Sequence, residues 1–225
     1  MSSVDNSNSS QINDTLGTEF SLHQKSRLYN IFNKSKRIFV LLSDNPQIDS
    51  ECLDEIYKFI SDEINLSEHK ENRIIGILNK YIDYTNKNGI KCSPQRIRYG
   101  LYSLRENFKS SCIDYIMNND FIKDCNIGHI YECFKHGVTL EKFEDTVKPY
   151  SYLMYTTHQI ELICLALVDV SVGLYSDQFI EVMKACDNAS EMSVIRNEAI
   201  RLTTSLDVIN KISKHRFSIK DDINK

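Results

Sequence analysis

A chain of 225 residues can build one large domain or two small ones, and 41% hydrophobic with 26% charged residues is ordinary for a globular protein. Seven glycines and three prolines are too few for turn-rich strand folds, so helices are expected throughout. A formal charge of −4 excludes wholesale electrostatic coating of nucleic acid and leaves room only for a local basic stripe.

Residues 1–19 are polar, rich in Ser and Asn, and carry no apolar period, which predicts a disordered tail. From Phe20, apolar residues Leu22, Leu28, Ile31, Phe32, Ile38, Phe39 and Leu42 recur at helical spacing and predict one long helix to Ser43, ended by Asn45-Pro46. Ser50 is the expected cap of a second helix carrying Leu53, Ile56, Tyr57 and Ile60. Ser67 opens a third, through Ile74, Ile75, Leu78 and Ile82, that stops at Asn88-Gly89. Ser93-Pro94 is a strong start signal, a cap followed by proline where its missing N–H costs nothing. The fourth helix is expected to run from there through Ile97, Leu101, Leu104, Phe108 and Ile116 to Asn118.

Beyond Asn119-Asp120 the helical segments shorten and the sequence echoes itself. GVTLEKFEDTV from Gly137 is answered by GLYSDQFIEVM from Gly173, aligning Glu141 with Asp177 and Phe143 with Phe179. HQIELICLALV from His158 is loosely answered by SEMSVIRNEAI from Ser190. A period of roughly 30–40 residues is the signature of stacked helical hairpins. Three pairs are expected. A helix around Ile127, Ile130 and Phe134 pairs with one around Leu140, Phe143 and Val147, closed by Pro149; Gln159–Val170 pairs with Ser176–Ala185; Glu191–Leu202 pairs with Leu206–Ile212. Gly137 and Gly173 fall where a tight turn needs positive φ, Thr156 with Gln159 has capping-box spacing, and Ser190 can cap the last pair. Gln159, Ile160, Ile163 and Ala166, followed by Gly173, Leu174, Asp177, Gln178 and Phe179, resemble helical-hairpin repeats of uncharacterised proteins from Gram-positive bacteria and their mobile elements. Glu191, Met192, Ile195 and Arg196 match the start of a further unit. The resemblance covers residues 120–213 and implies a fold, without implying an activity.

Two constellations invite chemistry. Cys125, His129, Cys133 and His136 fall on one helical stripe, opposite Ile127, Ile130 and Phe134. That stripe extends roughly 16 Å at about 1.5 Å per residue, so at most two of its members can share a zinc ion. On the fourth helix Arg98, Tyr102, Arg105 and Lys109 form a basic stripe with an interleaved aromatic, flanked by Arg96 and Tyr99. Guanidinium groups and an aromatic face suit phosphates and stacked bases, and the segment distantly resembles a helix-turn-helix with a long turn.

Catalytic signals are weak. Cys164 lies in an apolar run, His158 falls on a different helical face, and no nucleophile elbow, Walker loop or GxGxxG occurs. Arg196-Asn197 is similar to the opening of the HEPN RNase motif, but the motif's histidine is missing.

The expectation is an all-α protein, with an N-terminal helical bundle over 20–119 and solenoid-like hairpin repeats over 120–225. No leader peptide, no span long enough for a bilayer, Ser2 in place of an acceptor glycine and seven scattered cysteines without a CxxC pair point to a reduced, cytoplasmic setting without membrane attachment. The function expected is non-enzymatic protein–protein interaction without a cofactor, in a phage or mobile-element accessory or host-interfering factor. The alternative is a nucleic-acid-binding regulator using the stripe on the helix at 94–118.

Overall fold

A computed structural model describes residues 16–89, 93–118, 126–151 and 156–204, and among these every regular element is helical. The helices are α1 (Leu22–Lys34), α2 (Lys36–Ser43), α3 (Ser50–Ser61), α4 (Glu68–Asn88), α5 (Pro94–Arg105), α6 (Ser110–Asn118), α7 (Ile127–Lys135), α8 (Leu140–Ser151), α9 (Thr157–Ser171), α10 (Gln178–Lys184) and α11 (residues 189–204). Among the described residues no helix is long and apolar enough to cross a membrane. The chain divides into two compact units, Met1–Tyr131 and Glu132–Lys225. Cys125 and the expected helix Leu206–Ile212 lie outside the described residues.

Local capping explains most boundaries and corrects several expectations. The expected single helix from Phe20 to Ser43 is two, because Ser35 takes an extended backbone (φ −153°, ψ 111°) and its Oγ accepts from the Ile38 N–H at 3.0 Å. Ser35 is buried and its hydroxyl also donates to Glu71, so the break is built into the core. α1 starts in a Ser21–Gln24 capping box that the sequence reading passed over. The cap of α3 is Asp49, one residue before the expected Ser50, and accepts from the Cys52 N–H at 2.8 Å. Ser67 and Ser93 cap α4 and α5 as expected, and the Thr156–Gln159 capping box opens α9. α11 is capped by Asn188, not Ser190, through a bond from the Glu191 N–H at 3.0 Å. α8 continues two residues beyond Pro149, which was expected to close it.

In the first unit, α1, α3 and α5 lie side by side and point the same way. His23 and Arg27 reach Asp54, while Lys34 reaches the Glu63 carbonyl; Arg98 reaches Glu55, while Arg105 reaches the Phe59 carbonyl. Paired numbers rising together mean parallel axes. α4 runs the other way, with Lys70 on Glu63 and the Tyr81 hydroxyl 3.3 Å from the Cys52 thiol. α2 follows α4, since Arg37 bonds Glu71 and Gln47 bonds Asn86. α6 packs on both α4 and α5. The apolar sides of these helices close one core around Leu28, Ile31, Ile56, Leu78, Ile97 and Leu101. Leu16, assigned by sequence to the polar tail, is buried in that core.

In the second unit, the Cys133 thiol of α7 donates to the Cys164 carbonyl of α9 at 3.4 Å, and Phe134 packs edge-on against Phe143 of α8. Lys142 of α8 bonds Asp177 beside α10, and Arg196 of α11 bonds Asp169 of α9.

Three hairpin turns share one pattern. After α7, Gly137 (φ 86°) lets the Val138 N–H reach the Cys133 carbonyl at 3.0 Å while its own N–H reaches Phe134 at 3.1 Å. After α9, Gly173 (φ 78°) does the same, with Leu174 on Asp169 at 2.9 Å and Gly173 on Val170 at 3.0 Å. Both are Schellman closures. After α5, Asn107 (φ 53°) holds the equivalent place, with the Phe108 N–H on the Ser103 carbonyl at 3.1 Å. Six residues beyond each turn stand Ile113, Phe143 and Phe179, and ten beyond stand Met117, Val147 and Met183. All are buried except Phe179, which is half-buried against Tyr175. The Asn107 turn is where the expected helix 94–118 breaks in two. Asparagine, the commonest substitute for glycine at positive φ, disguised it.

Candidate functional site

α5 sets the side chains of the basic stripe. Ser93 and Pro94 fix its start, and burial of Ile97, Leu101 and Leu104 orients the rest of the helix. That orientation turns Arg98 and Arg105 toward α3. Arg98 grips Glu55 with a fork, Nε and Nη2 each donating at 2.7 Å, and Lys58 donates to the same carboxylate at 3.0 Å. Arg105 donates to Glu63 at 3.2 Å and lies over the rings of Phe59 and Tyr102, with centroids at 4.5 and 5.4 Å. Lys70 is the second cation on Glu63, and Asp54 likewise receives His23 and Arg27.

These carboxylates are therefore held ionised in spite of burial. The Arg98 bond is the largest influence on Glu55 and, with Lys58, holds its carboxyl below the ordinary range. For Glu63, burial pushes upward, but Lys70 and Arg105 together bring the carboxyl below its ordinary value. The Glu55 carboxylate in turn pushes the Arg98 guanidinium further up.

The expected continuous cationic stripe is consequently broken. Arg96 is 5% exposed and donates to the carbonyls of Ile116 and Met117 at 3.2 and 3.3 Å, where it caps the C-terminus of α6. Tyr102 is half-buried beneath Arg105. Lys109 is exposed, but it sits in the turn after α5 rather than on its helical face. Arg98, Tyr102 and Arg105 do share one face; what they meet there is Glu55 of α3 and Glu63 just past its end. Sequence reading missed Glu55 of α3 and Glu63, which lies just past its end, because neither is close in sequence to the arginine it meets.

The Cys/His stripe does not converge either. Cys125 lies outside the described residues. His129 is half-buried, Cys133 is fully buried against α9, and His136 lies exposed just past the end of α7, with Nε2 3.5 Å from Glu132. Among the described residues no group of three His, Cys, Asp or Glu side chains could hold a metal ion. The Cys133 thiol is pushed well up, first by its interaction with Cys164 and then by burial, which is the environment of an inert core cysteine.

In the second unit an open cleft of about 320 Å³ is lined by Thr139, Glu141, Lys142, Asp145, Thr146, Glu181 and Lys184. Lys142 is paired with Asp177 at 2.6 Å and Lys184 with Glu181 at 2.9 Å, and no nucleophile–base pair faces the space. The more informative surface of this unit is apolar. Val172, Leu174, Val182, Val194, Ile200 and Leu202 are all left exposed, whereas in the first unit the exposed large apolar side chains are Leu22, Val40 and Ile64.

No family model matches the chain, and neither a curated protein nor a solved structure matches it.

Proposed function

We propose that this chain is a non-enzymatic protein-binding scaffold, a solenoid-like stack of helical hairpins whose use is its surface. The observation that carries the reading is the set of exposed apolar residues Val172, Leu174, Val182, Val194, Ile200 and Leu202 in the second unit. Single exposed apolar residues are normal; several in one unit supply the apolar area that an interaction surface uses. The shared Schellman turns and the side-by-side helices of each unit support the hairpin reading, because such units bury their apolar flanks against sequential neighbours.

The nucleic-acid alternative asks Arg98 and Arg105 to leave Glu55 and Glu63 for phosphate. Giving up charge-assisted bonds to buried carboxylates is costly, so this reading has no observation in its favour. The test is affinity capture from the native host with the wild-type chain and with Leu174→Asp/Val182→Asp/Val194→Asp, three changes at exposed positions that should leave the helical circular dichroism intact. A protein retained by the wild type and lost from the variant is expected. Equal capture by both chains counts against the surface, and nucleic acid retained at low salt and released at high salt would replace the reading with its alternative.

A further inference from the structure

α9 is apolar nearly all round: Ile160, Leu162, Ile163, Cys164, Ala166 and Leu167 are buried on several of its sides. A helix of that kind must be covered on every flank. One buried acid interrupts it. Asp169 is 8% exposed and is held by Arg196 of α11, with Nε 2.9 Å from Oδ2 and Nη2 3.3 Å from Oδ1. Leu162 and Ala166 stand seven and three residues before Asp169, on the same helical stripe.

α11, by contrast, has little hold. Met192 is its one fully buried side chain, Ile195 and Ala199 are half-buried, and Val194, Ile200 and Leu202 face solvent. A helix with so little buried apolar area belongs to the low-stability end of a fold, where local opening precedes global unfolding. The forked ion pair is then a large share of what keeps α11 in place. Such pairs contribute more to register than to net stability, and removing one partner leaves a buried charge uncompensated.

We propose that α11 is a releasable strap on α9, clipped by the Arg196 fork on Asp169, and that its opening exposes the Asp169 carboxylate. What the release is for rests on the protein-binding reading; whether α11 releases does not.

Native-state hydrogen exchange on the full chain, with no partner present, tests the strap by itself. Amides of residues 189–204 are expected to exchange through an opening at least tenfold more populated than the one that exposes Leu162–Leu167. Asp169→Asn should raise their exchange about tenfold further and leave α7 and α8 unchanged. If α11 exchanges only together with α9, or if Asp169→Asn leaves its exchange as in the wild type, the strap is overturned. Should Asp169→Asn fail to fold, the wild-type comparison of α11 with α9 decides alone. Failure of the capture experiment would leave this result standing.

Discussion

Asn107, Gly137 and Gly173 do one job with two residue types. Each takes a positive φ at a helix end so that the next N–H can reach back five residues to an orphan carbonyl. Glycine does this without strain, whereas any residue with a Cβ meets the following carbonyl oxygen. No atom lies within 4 Å of where a Cβ on Gly137 would project, so a substitution there is opposed by backbone conformation rather than by packing. Gly137→Ala should therefore cost about 1 kcal/mol, and Asn107→Gly should be neutral or stabilising by a few tenths of a kcal/mol. Urea denaturation of the two variants checks both signs. A Gly137→Ala protein as stable as the wild type would mean that the turn is not held in the left-handed region.

At the scale of elements, the seam joining α1, α3 and α5 is ionic on its outer side and apolar beneath. Glu55 and Glu63 each receive two cations, and Asp54 receives Arg27 and the His23 imidazole. Surface ion pairs contribute little, but the Glu55 and Glu63 side chains are only 7% and 9% exposed, so their charges depend on these partners. Their folded values lie below the ordinary glutamate value of 4.5. The sign follows from linkage: a carboxylate depressed by folding contributes its full stabilisation above that ordinary value and loses it as pH falls through the depressed folded value. Stability should thus be flat from neutral pH down to about 5 and then fall steeply in acid. Glu55→Gln should cost about 2 kcal/mol at pH 7 and flatten the acid limb. Chemical denaturation at pH 7 and pH 4 measures both effects. An acid limb unchanged in Glu55→Gln would rule out this carboxylate as its source. The same pairs make Arg98→Glu a poor probe of nucleic-acid binding, because it puts a second negative charge against Glu55; Lys109→Glu, in the exposed turn, is the cleaner variant.

At the scale of the whole molecule, among the described residues Cys52, Cys112, Cys133, Cys164 and Cys186 are buried and form no disulfide. Burial pushes the Cys112 and Cys186 thiols up, and Cys133 is raised by Cys164 and burial together. A variant with Cys92→Ser and Cys125→Ser should consequently show no prompt reaction with an aromatic disulfide reagent at pH 8. All five thiols should appear on unfolding in guanidinium. A prompt native reaction of even one equivalent would contradict the packing around these residues.

What the sequence determined by itself is what local chemistry decides. All-helical content, the starts at Ser67, Ser93 and Thr156, and the turns at Gly89, Gly137 and Gly173 each depend on a side chain and a backbone group within a few residues of one another. Even the missed breaks at Ser35 and Asn107 had local signals, a capping serine and a residue tolerant of positive φ, hidden by an apolar period that runs on through both. Only the tertiary structure decided what the arginines of the basic stripe meet. Arg98 and Glu55 stand 43 residues apart, as Arg105 and Glu63 stand 42 apart, and no helical period links such distances. The same holds for the exposed residues from Val172 to Leu202. An apolar residue on a helix reads identically whether a neighbour covers it or not, and coverage is a property of the packed chain.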